Sequence, residues 1–291
     1  MRKMRIINNS HRHVDCPCCH SNKVKLISTV NYKSPISFST SLVELTNLPE
    51  LWKCINCESG FIQNFILEKD AQELYSSGES NVRWSSVTFE EAKPKGVTDA
   101  LTRLLTVNSK VLDVGCAKGD FLDFAKSKGC STYGLEYSTS SLDVIKANGH
   151  FAYSRLEDIN QKFDLITAFD VVEHLYDINN FIDVFMEKLS PGGCIVAVTG
   201  DISCLSARIS RGRWWYVSYP EHILFPSIKY FVSHPKVSSV KSIKTYSNRR
   251  HEMISLLVIS IPINIIRYLQ GKLLGSPPID RDHYLIMLYR D

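Results

Sequence analysis

Two pairs of cysteines near the amino terminus have the spacing of metal ligands. Cys16 and Cys19 form one Cys-x-x-Cys pair, and Cys54 and Cys57 form the second. Each pair can close a tight turn around an ion, so the four thiolates match the tetrahedral coordination that Zn²⁺ prefers. The register of the first pair stays open, because further donors lie nearby in the sequence: Cys18, His20, His11 and His13.

We expect this zinc to be structural. Four protein ligands leave no open coordination position for chemistry. A module of this size has a small hydrophobic core, so a bound metal ion is needed to stabilise its fold. A redox function is less favoured, since both pairs lie outside any βαβ pattern. The 34 residues between Cys19 and Cys54 are rich in Ser, Thr and Asn, which predicts a polar loop.

A second group of residues has the pattern of a loop that binds a small molecule. An apolar stretch at 110–114 contains Asp113 and runs through Gly115 and Gly119 into a helical pattern. Glycine allows backbone to approach a ligand closely, and the N–H groups of the following helix point into the same crevice. Glu136 follows about 20 residues later, where a carboxylate can accept both hydroxyls of a ribose. The loop lacks further dinucleotide-site glycines, so the sequence indicates a ribose without a pyrophosphate.

A third group of residues could carry out proton transfer. The aromatic-rich segment 213–225 contains Glu221 and His222, and His174 follows a separate apolar stretch. An imidazole that titrates near neutrality can take a proton from an attacking nucleophile. We predict His222 as the general base or substrate-orienting residue, with Glu221 fixing it or binding substrate. His174 is the competing base.

The elements that must position these residues alternate between strand and helix patterns, which predicts a doubly wound α/β sheet with its ligand crevice at the strand carboxyl ends. The predicted strands cover 110–114, 132–136, 151–154, 163–168, 194–198, 240–246 and 283–289. The predicted organisation is a zinc-binding module at 1–67, a helical lid or linker at 68–106 with Tyr75 and Trp84 as candidate lid residues, and a ligand-binding domain at 107–291.

The glycine loop resembles the first motif of class I S-adenosylmethionine-dependent methyltransferases, Asp/Glu-x-Gly-x-Gly-x-Gly. Asp113, Gly115 and Gly119 match it, and Ala117 replaces the middle glycine. The resemblance implies a Rossmann-like seven-stranded methyltransferase sheet whose last strand is antiparallel. It also implies an enzyme with S-adenosylmethionine as its cofactor.

The resemblance continues through 163–175, similar to the family's fourth strand and following loop, and through the turn at 189–193. It implies that the glycines approach the methionyl part, that Asp113 acts near its ammonium, and that Glu136 binds ribose. One of two acids, Glu157 or Asp158, would help bind adenine. The residues implied at the cofactor are Asp113, Gly115, Cys116, Gly119, Glu136, Leu156, Glu157, Asp158, Phe169 and Asp170.

The cysteine pairs, followed at once by Gly60-Phe61-Ile62-Gln63, and the Pro220-Glu221-His222 stretch are similar to bacterial sugar and small-molecule methyltransferases. This likeness implies a nucleotide sugar or a surface-glycan precursor as acceptor, methylated on oxygen, nitrogen or carbon. An RNA methyltransferase that grips nucleic acid through the zinc module is one alternative, but clustered Lys and Arg would be expected there. A non-catalytic cofactor-binding or scaffold protein is another.

Composition agrees with one α/β core and a small appendage. The chain has 291 residues, is 44% hydrophobic and carries a net charge of +4, too little to require nucleic acid as a partner. It shows no secretion signal and nine cysteines, which favours the cytoplasm. Residues 254–267 are apolar but shorter than the roughly 20 residues that cross a membrane, so we expect packing on the sheet, with a membrane-surface helix as the alternative. The oligomeric state is not predicted.

Overall fold

The computed structural model describes residues 4–30, 35–38, 41–76, 87–256, 259–270 and 278–290. The strands are β1 Met4–Ile7, β2 Val24–Thr29, β3 Ile36–Phe38, β4 Ser41–Leu45, β5 Glu50–Cys54, β6 Gly60–Gln63, β7 Lys110–Val114, β8 Ser131–Leu135, β9 Phe151–Tyr153, β10 Phe163–Phe169, β11 Leu189–Gly200, β12 Leu224–Phe225, β13 Ser239–Thr245 and β14 His283–Tyr289. The helices are α1 Glu68–Ser76, α2 Phe89–Ala92, α3 Lys95–Thr102, α4 Asp120–Ser127, α5 Thr139–Ala147, α6 Ile178–Glu187, α7 Leu205–Ser210, α8 Ile228–Ser233, α9 Arg249–Leu256 and α10 Ser260–Leu269.

The largest sheet has seven strands in the order β13-β14-β11-β10-β7-β8-β9. Neighbouring strands from β11 to β9 are parallel, whereas β14 runs antiparallel to both β11 and β13. The predicted α/β doubly wound, Rossmann-like seven-stranded sheet with an antiparallel last strand is therefore confirmed. Because β7 is central and its neighbours are parallel, the carboxyl ends of β7, β8 and β10 meet along one edge.

Alternate residues along the central strands feed two separate cores. Val111 and Leu165 pack with the apolar faces of α3 and α4 on one side of the sheet. Leu112 and Ile166 pack with α6 on the other side. Successive strand side chains point to opposite faces, so a strand covered on both sides is apolar throughout. The continuous apolar runs in the sequence have this cause.

Strand β11 is longer than the sequence predicted, because the turn at 189–193 is part of it. Phe163 lies opposite Leu189, but Leu165 lies opposite Cys194, so the extra residues of β11 form an irregular bulge. A Cβ atom at Gly193 would lie 2.9 Å from the carbonyl oxygen of Phe163. Glycine is therefore required for the bulge to pack against β10.

The amino-terminal residues form two small sheets, one with the order β1-β4-β3 and one with the order β12-β6-β5-β2. The prediction of a polar loop between the cysteine pairs was wrong, because β2, β3 and β4 lie within that insert. None of the side chains of β2 is fully buried, so this strand gives a weak apolar signal in the sequence although its backbone pairs with β5. The fourth strand of the second sheet, β12, comes from far along the chain, directly after His222.

Helices α1, α2 and α3 lie in the segment predicted as a lid or linker. Helix α2 begins with a capping box in which Thr88 and Glu91 exchange hydrogen bonds between side chain and backbone. Phe89 of α2 packs against the rings of Phe121, Phe124 and Phe169, so the segment contacts the carboxyl end of β10. Trp84 lies outside the described residues, as does the side chain of Tyr75.

The apolar segment 254–267 forms the end of α9 and most of α10, which lie between β13 and β14 in the sequence. In the part of the chain that the structure describes, none of the helices combines the length and apolar character needed to span a bilayer.

Candidate functional site

The loop after β7 has the backbone conformation that its glycines predict. Gly115 and Gly119 have φ values of +68° and +90°, and Ala117 between them has +46°. A Cβ atom at Gly115 would also lie 2.9 Å from Val171. The left-handed region is costly for residues with a Cβ, so the alanine at the position of the middle glycine is tolerated at some strain.

The carboxylate of Glu136 lies against this loop. It accepts a hydrogen bond from the Ala117 backbone N–H at 3.0 Å and one from the Ser138 N–H at 2.9 Å. Each carboxylate oxygen has a second lone pair, so both can still accept hydrogen bonds from a ligand's neighbouring hydroxyls. This arrangement fits the ribose of S-adenosylmethionine.

Asp113 is buried at the end of β7, directly before the loop. Its Oδ1 accepts a hydrogen bond from the Thr167 hydroxyl of β10 at 2.7 Å. Desolvation raises the pKa of Asp113 to about 7, and the Thr167 hydrogen bond only partly opposes that rise. Cys116 is buried beside it, with its sulfur 3.8 Å from the Leu135 carbonyl oxygen. Asp113 thus lies at the base of the glycine loop, and Cys116 forms part of the loop itself.

The segment predicted to contact adenine follows β9. Leu156–Asp158 forms one turn of 3₁₀-helix, with a half-buried Leu156 and with both acids exposed. Glu157 lies 3.5 Å from the guanidinium of Arg155. The turn lies at the same strand-end edge as Glu136, because β9 pairs in parallel with β8.

Asp170, in the loop after β10, forms an ion pair with a residue that the sequence did not single out, Lys93. Asp170 has a φ of +54°, and its carboxylate is 2.7 Å from the ammonium of Lys93, which follows α2. The same ammonium lies 5.7 Å from the centre of the Phe169 ring. Burial alone would raise the pKa of Asp170, but the Lys93 charge outweighs it and the net shift is downward. No motif spacing marks Lys93 in advance.

The two predicted bases lie together. The rings of His174 and His222 have centres 4.8 Å apart at an angle of 81°. Nδ1 of His222 donates to the Tyr216 carbonyl oxygen at 2.7 Å, and Nδ1 of His174 donates to the Glu221 carbonyl oxygen at 2.8 Å. A carbonyl oxygen only accepts, so Nδ1 carries the proton in each ring, and Nε2 of the neutral form has a lone pair.

Burial keeps His222 neutral. Desolvation, with a smaller contribution from the neighbouring His174, lowers the pKa of His222 to about 3. At neutral pH its Nε2 therefore carries no proton and has a lone pair for a hydrogen bond. Glu221 contacts the cluster through its backbone, because its carbonyl oxygen accepts the hydrogen bond from His174. The predicted roles of its side chain, fixing His222 or binding substrate, stay predictions.

Beneath the two imidazoles lies a buried carboxylate, Glu173. It accepts hydrogen bonds from the Thr199 hydroxyl at 3.0 Å and from the Tyr216 hydroxyl, and burial raises the pKa of Glu173. The Glu173 carbonyl oxygen also accepts the Ile223 N–H at 2.9 Å. These bonds join the loop after β10 to the segment that contains His222.

His283 is a further residue of this cluster that the sequence did not single out. It is fully buried at the start of β14, opposite Gly200, and its ring centre is 4.6 Å from that of Tyr216. Nδ1 of His283 lies 2.9 Å from the Asp282 carboxylate. Only the antiparallel return of β14 brings it here, which sequence spacing does not report.

The four predicted zinc ligands also lie together. The sulfurs of Cys16, Cys19, Cys54 and Cys57 are all within 4.8 Å of one another. Two of the sulfur pairs, Cys16 with Cys57 and Cys19 with Cys54, are 3.6 Å apart. Tetrahedral Zn²⁺ with bonds of about 2.3 Å requires sulfurs about 3.8 Å apart, so the four thiolates fit the ion.

A seven-stranded sheet with an antiparallel last strand, and a glycine loop after its central strand, defines the fold class of the class I methyltransferases. Residues 89–233 match the family model described as "Methyltransferase domain", and this part of the chain belongs to that family. The predicted methyltransferase domain is thereby confirmed.

Among proteins of known name, the chain is similar to the ubiquinone biosynthesis O-methyltransferase of Nitrobacter winogradskyi, with 29% identity over 99 residues, 31% of this chain and 38% of that protein. It is also similar to the Chelativorans enzyme of the same name, with 31% identity over 100 residues, 31% of this chain and 40% of that protein. The chain thus spans about two fifths of the length of these relatives.

The chain is also similar to solved structures, among them coclaurine N-methyltransferase bound to N-methylheliamine and SAH. That likeness has a TM-score of 0.47 and 16% identity, and it covers 72% of this chain and 75% of the other. The S-adenosylmethionine-dependent methyltransferase of Archaeoglobus fulgidus has a TM-score of 0.45 and 19% identity, with 67% and 91% covered.

Proposed function

We propose that the protein transfers a methyl group from S-adenosylmethionine to a small-molecule acceptor, and that the acceptor is a nucleotide-linked sugar or a surface-glycan precursor. The observation that carries the methyl transfer is the pair of imidazoles, His174 and His222, beside the loop that follows β10. Each ring has a fixed tautomer that leaves Nε2 as the acceptor. The choice of a sugar rests on the cysteine module and on the segment Pro220-Glu221-His222.

In this proposal His222 removes the proton of the acceptor. As the acceptor atom attacks, Nε2 of His222 takes its hydrogen, and His174 orients the acceptor or takes over that role. Bound S-adenosylmethionine would supply an electrophilic methyl carbon and leave as the neutral thioether. Methyl transfer is an in-line displacement, so alignment of the acceptor contributes as much as proton removal.

The residues around the glycine loop would hold the cofactor. Glu136 would bind the ribose hydroxyls, and Asp113 would favour the positively charged methionyl end. Phe169 and Asp170 would line the methyl donor. The zinc ion in the amino-terminal module would stabilise the fold and take no part in the reaction, because all four of its ligands come from the protein.

A second acceptor class is the phenolic ring of a quinone precursor. The two named relatives support it, since both are called ubiquinone biosynthesis O-methyltransferases. A phenol and a sugar hydroxyl both require a base, so the same imidazoles would serve either acceptor.

The proposal is tested with methyl-labelled S-adenosylmethionine and a panel of nucleotide sugars and polyprenyl phenols. We expect label in a nucleotide sugar, and a rate about 100-fold lower in His222→Asn with the affinity for S-adenosylmethionine unchanged. His234→Asn is the control, because His234 is buried directly after α8, beside Asp183. Label in the phenols alone would replace the sugar by the second acceptor class. Failure to bind the cofactor at all would exclude methyl transfer.

A further inference from the structure

Helix α10 has its apolar side turned to solvent. Its inward positions are a buried Ser260 and the half-buried Ile263, Asn264 and Arg267. Its exposed apolar side chains are Ile261 at 46%, Ile265 at 55%, Ile266 at 54% and Leu269 at 78%. A helix on the surface of a globular protein normally faces its apolar stripe inward. The reversed orientation indicates that something apolar covers this face.

Helices α7 and α9 also carry exposed apolar residues, and hydrogen bonds place parts of both near the start of α10. The Ser255 hydroxyl of α9 donates to the Pro278 carbonyl oxygen at 3.2 Å, and the Ile279 N–H donates to the Ser206 hydroxyl of α7 at 3.0 Å. Segment 278–280 therefore brings α7 and α9 together. We call the following exposed residues the α10 patch: Leu205, Ile209, Met253, Ile259, Ile261, Ile265, Ile266 and Leu269.

The charges on these elements are arranged unevenly. The arginines are Arg208, Arg249, Arg250, Arg267 and Arg281, and four of them are exposed. The acids are engaged with the protein: Glu252 accepts the Lys95 N–H, Asp280 accepts the Leu205 N–H, and Asp282 accepts the Trp215 indole N–H. Five arginines and three acids leave a net charge of +2 on these elements, so the surface around the patch is cationic and a matching partner is anionic.

We propose that the α10 patch binds the surface of a membrane that contains anionic lipids. Helix α10 has 10 residues and is about 15 Å long, too short to cross the hydrocarbon core. A short helix with isoleucines on one side and arginines beside it fits an orientation in the interface plane. A second copy of the chain is a poorer occupant, because a two-fold contact would bring the same arginines together.

The patch adjoins the candidate site. The ring of His251 in α9 lies 5.3 Å from the Trp215 ring, and Trp215 stacks on His283 with ring centres 5.7 Å apart. Docking through α9 and α10 would therefore bring the acceptor pocket close to the lipid surface. An acceptor attached to a lipid could then be methylated without leaving the membrane.

Vesicle sedimentation of the full chain tests this proposal. The probes are vesicles of phosphatidylcholine alone and of equal parts phosphatidylcholine and phosphatidylglycerol. We expect sedimentation with the anionic vesicles, at least about tenfold weaker binding for Ile265→Asn/Ile266→Asn, and release at high salt. The control is Val232→Asn on α8, where the valine is 62% exposed. Circular dichroism checks that each variant is folded.

A charge variant keeps the test decisive if the double variant unfolds. Arg250→Glu/Arg281→Glu should weaken binding to anionic vesicles severalfold, since each interfacial arginine contributes to the attraction. The absence of binding to either vesicle by the wild type would overturn the proposal. Equal binding to both vesicle types would overturn its anionic part. A wild-type dimer that the double variant converts to monomer, without vesicle binding, would identify a second copy as the occupant. Cofactor binding measured in parallel keeps these outcomes separate from the proposed methyl transfer.

Discussion

The ammonium of Lys93 lies 2.7 Å from a carboxylate oxygen of Asp170, and this ion pair joins the segment ahead of the sheet to the loop after β10. Both side chains are largely shielded from solvent, with exposures of 15% and 30%. The pair holds Asp170 at a positive φ beside the predicted methyl-donor position. A segment predicted as a lid is thus bonded directly to the site.

Removing the Lys93 charge should weaken cofactor binding modestly. We expect Lys93→Met to raise the Kd for S-adenosylmethionine about three- to tenfold, because a partly shielded ion pair contributes about 1 kcal/mol. Isothermal titration calorimetry measures it, and a double-mutant cycle with Asp170→Asn isolates the pair. Lys95→Met is the control on the exposed start of α3. A coupling energy near zero would show that the two residues act independently.

Glu136 should have a larger effect on the same measurement. Glu136→Gln retains the size of the side chain but replaces one carboxylate oxygen by an NH2 group, which donates and cannot accept hydrogen bonds. We expect at least about tenfold weaker binding of S-adenosylmethionine and of its demethylated product, since a charged hydrogen bond contributes about 1.5–3 kcal/mol. Glu187→Gln at the exposed end of α6 is the comparison. Equal losses for the two variants would contradict a specific ribose contact.

The buried carboxyl of Asp113 should make stability depend on pH. Its pKa is raised from 3.8 to about 7, so between these values the folded chain holds a proton that the unfolded chain has released. This contribution is fully present below pH 3.8 and is lost as pH rises to about 7.

Asp113→Asn removes that dependence. The free energy of unfolding of the variant relative to wild type should therefore rise from pH 5 to pH 7, by up to about 1.4 kcal/mol per pH unit. Urea denaturation at several pH values measures it, with the exposed Asp143→Asn as control. A difference that stays constant with pH would mean that Asp113 is ionised in the folded protein throughout.

Metal content should follow the four cysteines. We expect about one zinc ion per chain, lost together with thermal stability in Cys54→Ser and Cys57→Ser, because thiolates are the ligands that zinc prefers in structural sites. Elemental analysis and thermal unfolding measure both effects. Cys18→Ser should keep its zinc, since Cys18 is outside the group of four sulfurs. Zinc loss in that variant would shift the register of the first ligand pair.

The sheet was accessible to sequence reasoning because its central strands, β7, β10, β11 and β14, are buried on both faces. The ranges 110–114 and 283–289 were predicted with the bounds that the structure has, and the other strands to within a few residues except β11. The strands that the sequence did not predict, in the insert between the cysteine pairs, include β2, none of whose side chains is fully buried. The insert between the cysteine pairs pairs its strands mainly through backbone hydrogen bonds, which leave little apolar signal in the sequence.

The candidate site was accessible only where a motif marks it. Glycines with positive φ, an acid one strand later and the cysteine pairs are local patterns with a direct physical cause. Lys93 and His283 reach the site from elements that are distant in the sequence, and neither is part of a periodic pattern. Their positions depend on how α2 packs and how β14 returns, which are tertiary properties.

Strand β12 has a consequence for how metal dependence should be interpreted. Leu224 and Phe225 pair with Phe61 and Gly60 of the cysteine-containing module, and they begin two residues after His222. A chelator that dissolved the module would remove the partner of β12 and so release the anchor of the imidazole. Loss of the metal from the cysteine module is therefore expected to lower turnover by removing a remote support of the imidazole.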